Sequence, residues 1–265
     1  MFCCPAQDRG VRAMVKGKGA NRSSRQSKRA GKQATHRAIK EQLILAGKVL
    51  VTQGQDDFTR GHISFRLPGD PNLFFMKAHS IGLDEITTQN ILTIDLEGNV
   101  VAGTARRHSE VYIHSEIFKA RPDVNCVIHT HPTYSIALSA TGRALKCYSQ
   151  PGALFYKALG TYTDTINLIR SQAMGAGVAR ALGDGRAVVL KNHGVVVTGA
   201  TIAEAVIGTI MLENGAMVQL LVEAAGDPAP EFSQADIEKL KADISQPEQF
   251  TINFDYLVRR VKRRG

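Results

Sequence analysis

The sequence has 265 residues, no tryptophan, and an aromatic content of only 6%. Its four cysteines (Cys3, Cys4, Cys126 and Cys147) are too few for a disulfide framework in a chain of this length. It also lacks a continuous apolar run close to the ~18 residues of a membrane span, and the apolar region of a secretory signal. These absences predict a cytoplasmic protein with an ordinary hydrophobic core and no membrane partner.

Acidic residues are scarce at the start of the chain. Residues 1–37 contain ten lysines and arginines but a single acid, Asp8, which accounts for the whole formal charge of +9. The rest of the chain is neutral, so a nucleic-acid partner is not expected for the folded body. Residues 1–34 are rich in Gly, Ser, Lys and Arg and have too little apolar surface to fold. This range is predicted to be a disordered basic leader.

Hydrophobic periodicity predicts alternating helices and strands in the rest of the chain. A first amphipathic helix carries apolar residues at Ile39, Leu43, Ala46 and Leu50. Strands are predicted at 62–66, 73–77, 91–95, 100–102, 124–131, 187–190 and 195–199, and further helices at 109–119, 134–140, 166–182 and 201–223. This order indicates a single α/β domain over 35–226, with a sheet between helix layers, followed by a helical tail over 227–265.

Two histidines end an apolar strand in the sequence VNCVIHTH. Side chains alternate along a strand, so His129 and His131 are expected to point the same way. His193 lies in a short loop between two buried strands, in LKNHGVV, which would place it at a strand end. Three imidazoles are ligands that Zn²⁺, Mn²⁺ and Fe²⁺ accept with open positions left for a substrate. The pattern favours a catalytic metal site, although each histidine alone could equally be a hydrogen-bonded core residue.

The sequence contains two motifs that resemble other kinds of site, and one acidic residue close to a predicted helix start. MGAGVARA, at 174–181, resembles a dinucleotide-binding loop but lies inside a helical pattern and has no acid ~20 residues on. An H-x-H pair also opens metal-dependent barrel hydrolases, yet here it falls mid-chain with too little sequence after it for a barrel. Glu110 follows Ser109, the predicted N-cap of the 109–119 helix, so its default interpretation is a capping charge.

Three motifs together resemble the class II aldolase and adducin family. They are S-E-x(3)-H over 109–114, RPDVNCVIHTHP over 121–132 and KNHG over 191–194. The resemblance implies one domain with a central, largely antiparallel sheet between helix layers, and a homotetramer with active sites between subunits. It implies that His129, His131 and His193 bind a divalent metal, Mn²⁺ or Zn²⁺ with Fe²⁺ as a further option. It gives Glu110 the role of the catalytic acid or base.

The phosphate-binding motifs of the family's sugar-phosphate aldolases are altered in this sequence. GHIS contains His62, KAHS contains Lys77, His79 and Ser80, and HSE contains His108 and Ser109. Bulky cationic or aromatic groups would crowd a phosphate but suit a planar carboxylated ring. These segments and the DYLVRR tail with Tyr256 resemble the decarboxylase branch, which includes 3-hydroxy-2-methylpyridine-4,5-dicarboxylate 4-decarboxylase.

The sequence therefore predicts a divalent-metal-dependent decarboxylase of a hydroxylated aromatic or heteroaromatic acid. His62, Lys77, His79, Ser80, His108, Ser109 and Tyr256 are the predicted substrate contacts, and Glu110 is the predicted catalytic residue. Three alternatives stay open at this point. They are an aldolase for a small hydroxy-carbonyl compound, a non-haem iron oxygenase using the same ligands, and a non-catalytic interaction protein of the adducin kind.

Overall fold

The computed structural model describes residues 1–2, 20–226 and 231–264. The chain divides into two compact units, Met1–Thr35 and His36–Gly265. The second unit contains the sheet and every site discussed below. Its helical tail belongs to the same unit as the sheet, and the helix Pro247–Arg264 buries Phe250, Phe254 and Leu257 in a hydrophobic core shared with the sheet.

Eight helices and eight strands are present in the described residues. They follow the order α1 (Ala20–Thr52), β1 (His62–Arg66), β2 (Leu73–Lys77), β3 (Ile91–Asp95), β4 (Val100–Ala102), α2 (Val111–Ala120), β5 (Cys126–Thr130), α3 (Thr133–Ala140), α4 (Gln150–Leu154), β6 (Leu159–Tyr162), α5 (Gln172–Leu182), β7 (Ala187–Leu190), β8 (Gly194–Gly199), α6 (Ile202–Ala224), α7 (Gln234–Ile244) and α8 (Pro247–Arg264).

The strands form one sheet in the order β4-β3-β2-β1-β5-β8-β7-β6. Every neighbouring pair is antiparallel except β6 and β7, which confirms the predicted largely antiparallel sheet. The register between β1 and β5 places His62 directly opposite His129. Residues opposite each other in a ladder share a face of the sheet, so the fold brings these two histidines together.

Helices cover both faces of the sheet. Alternate strand residues enter two separate cores, as the pair Val195 and Val196 shows. One core holds Ile128 and Val195 with apolar residues of α1, α6 and α8. The other holds Val127 and Val196 with residues of α2 and α5. The predicted arrangement of a sheet between helix layers is confirmed.

Helix α6 is long and apolar enough, by length and composition, to cross a membrane. Within its most apolar window, however, 56% of the residues are buried inside the protein. Residues such as Ala205, Val206 and Leu212 pack into the core beneath the sheet. Thr201 accepts a hydrogen bond from the Glu204 amide and begins the helix as an N-cap. Helix α6 therefore packs as a core helix of the α/β domain.

Several predicted boundaries differ from the structure. Helix α2 begins at Val111, with Glu110 rather than Ser109 at the N-cap position and no side-chain cap. The helix predicted over 166–182 begins only at Gln172, because the Ser171 side chain accepts from the Met174 amide and caps it there. Helix α4 and strand β6 were not predicted, since QPGAL and LGTY lack the adjacent valines that marked the equally short strands β4 and β7.

The range predicted as a disordered leader is partly helical. The backbone of α1 is helical from Ala20, whereas the prediction was disorder through residue 34. The residues before the buried Ile39 are rich in Ala, Lys, Arg and Gln, which are good helix formers, and this composition favours a helical backbone there. Residues 3–19 of the predicted leader lie outside the described residues.

Candidate metal centre

His129 and His131 stand at the end of β5, and His193 stands in the loop between β7 and β8. That loop is a tight turn in which the His193 amide bonds the Leu190 carbonyl at 2.9 Å. Asn192 has a left-handed φ of 59°, which asparagine tolerates better than most residues. A Cβ at Gly194 would lie 2.5 Å from the Thr130 carbonyl oxygen, so only glycine lets β8 pass this close to β5.

These three histidines converge with Glu110, which immediately precedes α2. One ligand atom from each residue can be chosen so that all four lie within 4.8 Å of one another. The His129 Nε2 atom is 3.8 Å from Glu110 Oε2, and the His193 Nε2 atom is 3.7 Å from Glu110 Oε1. Glu110 Oε1 also accepts a hydrogen bond from the Ile169 amide at 2.8 Å, which fixes the carboxylate.

The ring nitrogens are arranged as they would be for metal binding. His129 Nδ1 donates to the Val195 carbonyl oxygen at 2.9 Å, which leaves the lone pair on Nε2. The Nε2 atoms of His129 and His193 are buried and have no hydrogen-bond partner among the described residues. Burial lowers the pKa of His129 to about 3 and that of His131 to about 4, so both imidazoles are neutral ligands. The four residues therefore fit a divalent cation.

Asp57 stands behind His131. Its Oδ2 atom is 2.9 Å from His131 Nδ1, although the direction falls short of a hydrogen bond. Its Oδ1 atom pairs with Arg60 Nη2 at 2.5 Å. A carboxylate beside the second nitrogen of a ligand histidine orients the ring and makes it a better ligand. Asp57 and Arg60 were not predicted as site residues, because they lie just before GHIS and carry no ligand spacing of their own.

All seven histidines between residues 62 and 193 form one continuous cluster of ring contacts. Successive ring centroids lie 4.6–5.2 Å apart. The cluster runs from His79 through His108, His62 and His114 to His129, His131 and His193. The sequence showed only that these residues lie in one part of the chain, and the fold brings them together in space.

The centre of this cluster is a buried hydrogen-bonded chain. His62 Nδ1 is 2.6 Å from His114 Nε2, and His114 Nδ1 is 2.6 Å from Ser64 Oγ. The remaining ring nitrogen of His62, Nε2, lies 3.9 Å from Glu110 Oε2. Burial is the main cause that lowers the pKa of both histidines well below its usual value. His114 belongs to the S-E-x(3)-H motif, but its spacing alone did not suggest a site role.

Lys77 lies beneath the cluster, with 1% of its surface exposed. Its Nζ donates to the carbonyl oxygens of Thr59, Ala78 and Ile81, and it lies 3.2 Å from His108 Nε2. Burial lowers the pKa of Lys77 to about 8. Burial and the charge of Lys77 lower the pKa of His108 to about 3. The buried Lys77 amine therefore holds the His108 ring in place through its Nε2 atom.

A cavity of about 490 Å³ opens in front of the histidines and Glu110. Its polar lining residues include Arg60, His79, His108 and Ser109, together with Glu110, His131 and His193. Ile136, Ile166 and Leu168 add apolar surface to the lining. A space lined by both polar and apolar side chains beside a candidate metal centre suits a small molecule with an apolar body and polar substituents.

The model of the class II aldolase and adducin N-terminal domain matches residues 41–220 of this chain. The chain belongs to this family. The match covers more than half of the chain and includes every residue of the metal centre. The protein is therefore an enzyme of the class II aldolase superfamily, a group of lyases, with a Glu/His₃ cluster able to hold a divalent metal.

Similar proteins of the family are named for different activities. The chain is 28% identical over 217 residues to 3,4-dihydroxyphthalate decarboxylase of Arthrobacter keyseri, covering 78% of this chain and 87% of that protein. It is 32% identical to decarboxylase NovR of Streptomyces niveus, covering 74% of each. It is 31% identical to 4-hydroxy-3-prenylphenylpyruvate oxygenase/4-hydroxy-3-prenylbenzoate synthase of Streptomyces roseochromogenus, covering 74% and 73%.

The solved structure of L-fuculose 1-phosphate aldolase from Glaciozyma antarctica has the same fold. It superposes with a TM-score of 0.78 at 26% identity, covering 88% of this chain and 91% of that one. Decarboxylases, an oxygenase and an aldolase are thus all similar to this chain. Membership of the class II aldolase family establishes the fold and the kind of metal-binding cluster. The shape and chemistry of the cavity are what can separate decarboxylase, oxygenase and aldolase activity.

The structure brings most of the predicted site residues to one place. His79, His108, Ser109, Glu110, His131 and His193 line the cavity. His62 and His129 are fully buried behind it, and Lys77 is buried beneath His108. Ser80 is exposed and 2.5 Å from His79 Nδ1, without lining the cavity. Tyr256 is 47% exposed on α8 and also stands apart from the cavity lining.

Proposed function

We propose that this protein is a divalent-metal-dependent decarboxylase of a hydroxylated aromatic or heteroaromatic carboxylic acid, of the type of 3-hydroxy-2-methylpyridine-4,5-dicarboxylate. The observation that carries the proposal is the cavity beside the Glu/His₃ cluster, whose lining contains both apolar and polar side chains. A ring would contact Ile136, Ile166 and Leu168, while its polar substituents would approach His79, His108 and Glu110. The decarboxylase relatives at 28% and 32% identity support the same reaction class.

In the proposed complex the histidines divide two tasks. His129, His131 and His193 would hold Mn²⁺ or Zn²⁺, with Fe²⁺ as a further option, close to Glu110. His79 and His108 would donate hydrogen bonds to the substrate, and Ser109 would add a hydroxyl. His62 would act through Glu110, because its Nε2 is 3.9 Å from that carboxylate and its side chain is fully buried.

Decarboxylation breaks the bond between a ring carbon and its carboxylate, and the bonding electrons remain with the ring. A divalent cation bound by the three histidines would act as a Lewis acid that stabilises the developing negative charge. Glu110 would act as the acid that delivers a proton to the ring carbon as CO₂ leaves. The Ile169 amide holds Glu110 Oε1, so the Oε2 side of the carboxyl is the one that faces His62 and His129.

The remaining proposals concern assembly and location. We propose a cytoplasmic homotetramer, on the basis of family resemblance. Tyr256 is 47% exposed on α8 and is the candidate residue to approach the site of a neighbouring subunit.

The first alternative is aldol cleavage at the same centre. A retro-aldol reaction also leaves an electron pair that needs stabilisation next to a carbonyl group, so the same four residues could serve it. The structural similarity to L-fuculose 1-phosphate aldolase favours this alternative. Against it, the cavity lining contains the histidine rings of residues 79 and 108 and the apolar side chains of Ile136, Ile166 and Leu168. The second alternative, an iron oxygenase, is supported by the similarity to the Streptomyces roseochromogenus enzyme.

The test is a substrate panel on purified protein loaded separately with Mn²⁺, Zn²⁺ and Fe²⁺. CO₂ release from hydroxybenzoates, hydroxyphthalates and hydroxypyridine carboxylates is measured beside aldol cleavage of ketose 1-phosphates and O₂ consumption. CO₂ release without O₂ uptake is the expected result. Efficient cleavage of a phosphorylated ketose with no CO₂ from any aromatic acid would replace the proposal with the aldolase alternative, and O₂-dependent turnover would replace it with the oxygenase.

A variant pair sharpens this test. Glu110→Gln is expected to lower the rate of CO₂ release by about 10²–10⁴-fold, the usual contribution of a general acid. The matched control is Glu116→Gln, which changes a glutamate on α2 that is ion-paired with Lys119 outside the cavity lining. Equal rates for the Glu110→Gln variant and the control would remove Glu110 from the mechanism.

A further inference from the structure

The turn before β1 presents a charged side chain to the cavity. The Arg60 amide bonds the Asp57 carbonyl oxygen at 3.0 Å and closes a turn over residues 57–60. Inside the turn, Phe58 has a left-handed φ of 51° and its side chain is 84% exposed. This backbone conformation is uncommon for a bulky residue and persists only where the surroundings require it. Its result is that Phe58 points to solvent while Asp57, Thr59 and Arg60 line the cavity.

Arg60 is the single lysine or arginine among the residues that line this cavity. The two histidines His131 and His108, which also line it, have other neighbours: His131 Nδ1 lies 2.9 Å from Asp57 Oδ2, and His108 Nε2 lies 3.2 Å from the buried Lys77 amine. Lys77 is buried beneath His108 and has its amine bonded to three carbonyl oxygens. Arg60 therefore offers a permanent positive charge to any negatively charged substituent that lies in the cavity away from the histidine cluster.

The guanidinium of Arg60 is oriented and still has donors available. Asp57 Oδ1 accepts from Nη2 at 2.5 Å, and the ring of Phe58 lies 5.8 Å from the guanidinium carbon. One nitrogen is used in this pair, and the side chain is 62% exposed. Arginine offers five N–H donors in a planar fork that matches a carboxylate. The same Asp57 is 2.9 Å from His131, so the position of Arg60 is tied to that of a metal-ligand candidate.

We propose that Arg60 binds a second carboxylate of the substrate, so that the cavity selects an aromatic dicarboxylate over the corresponding monocarboxylate. This inference rests on the proposed decarboxylase function and names its substrate class. The carboxylate to be lost lies at the histidine cluster, and the one that is kept pairs with Arg60. Asp57 is the positioning residue that holds the guanidinium toward the cavity. A phosphate could supply the same charge, but the apolar lining residues Ile136, Ile166 and Leu168 favour a ring.

Binding of unreactive analogues tests the inference without turnover. Phthalate and benzoate differ by one carboxylate and lack the hydroxyl group that the proposed reaction needs. Dissociation constants are measured by calorimetry on the full-length, Zn²⁺-loaded protein, with inorganic phosphate as a third probe. The protein is expected to bind phthalate about tenfold more tightly than benzoate, as one charge-assisted pair at a partly exposed arginine would give. In Arg60→Gln this ratio should fall toward one, and Arg60→Lys should give an intermediate ratio.

Arg37→Gln is the matched control, because Arg37 is also an exposed arginine in a pair with a nearby acid, Glu41, and does not line the cavity. It should keep the ratio of the unsubstituted protein. A ratio near one in the unsubstituted protein, or an unchanged ratio in Arg60→Gln, would overturn the inference. Phosphate binding that is tighter than phthalate binding and depends on Arg60 would also overturn it and would indicate a phosphorylated ligand.

Failure of the proposed function gives a different result. If the phthalate preference depends on Arg60 but no hydroxyphthalate releases CO₂, the dicarboxylate site stands and the reaction assignment is wrong. If CO₂ is released but the preference does not depend on Arg60, the reaction stands and the inference about Arg60 is wrong.

Discussion

The two faces of strands β1 and β5 are equally buried but chemically opposite. Toward α1 and α6 the strands present Ile63 and Ile128, which pack in an apolar core. Toward α2 they present His62, Ser64 and His129, each with 0% exposure. Burying polar groups costs free energy unless they are hydrogen-bonded, and the hydrogen bonds to His114 and to the Val195 carbonyl offset that cost. One face of these strands is apolar, while the other combines the site with Val127 of the second hydrophobic core.

The largest effects are expected from substitutions at two neighbouring residues of β5, His129 and Ile128, whose side chains lie on opposite faces of the sheet. His129→Ala is expected to reduce bound metal to background and abolish activity, because it removes a ligand with an unpaired buried Nε2. Ile128→Ala should keep the metal site but lower the free energy of unfolding by about 2–5 kcal/mol, through lost burial and a cavity. Metal analysis and denaturant unfolding measure the two outcomes. Full metal occupancy in the His129→Ala/His131→Ala double variant would contradict the assignment.

The buried chain of His62, His114 and Ser64 should contribute to stability as a unit. His114→Leu is expected to lower the free energy of unfolding by about 2–5 kcal/mol, since it leaves polar atoms of His62 and Ser64 without their partner. Adding Ser64→Ala should recover part of this loss, because the second unpaired group is then removed. Denaturant unfolding of the single and double variants forms a cycle. Strict additivity of the two losses would show that the chain does not act as a unit.

Asp57 should affect the metal centre more than the fold. Asp57→Asn removes the negative charge 2.9 Å from His131 Nδ1 and is expected to weaken metal binding by about 10–100-fold. Competition with a chelating dye measures the affinity. Asp123→Asn is the control, because Asp123 also pairs with an arginine, Arg121, but does not line the cavity. An Asp57→Asn affinity equal to that of the control would show that the carboxylate does not support His131.

Lys77 should give the protein an alkaline pH dependence of stability. Its pKa is about 8 in the folded chain and ~10.4 in an unfolded one, because burial disfavours the charged amine. Between these values the unfolded state binds more protons, so the free energy of unfolding should rise with pH, by at most about 1.4 kcal/mol per pH unit. Lys77→Met should remove this rise, while Lys48→Met, at an exposed lysine, should retain it. Unfolding curves between pH 8 and pH 10.5 measure the slope.

Removing residues 1–34 should have the smallest effect. The first buried apolar residue of α1 among the described side chains is Ile39, which this deletion leaves in place. Activity and the unfolding midpoint are expected to stay unchanged. A shortened protein that folds but is inactive would show that the segment contributes to the site.

The sequence by itself determined the features that depend on neighbouring residues. Strands at 62–66, 73–77 and 91–95 have the predicted bounds. The common direction of His129 and His131 and the position of His193 at a strand end were also predictable. Both follow from the alternation of side chains along a strand and from the short KNHG loop between two strands. Boundaries set by a single cap were less readable, as the start of α5 after Ser171 shows.

Tertiary structure alone decided which distant groups meet. The pairing of β1 with β5 places His62 opposite His129, and α2 then brings His114 onto His62 from 52 residues away. The same folding buries Lys77 and places Asp57 behind His131. These contacts cannot be predicted from sequence periodicity, because they depend on the order of the strands and the docking of the helices. Strand order and helix docking are set by the burial of side chains from the whole domain.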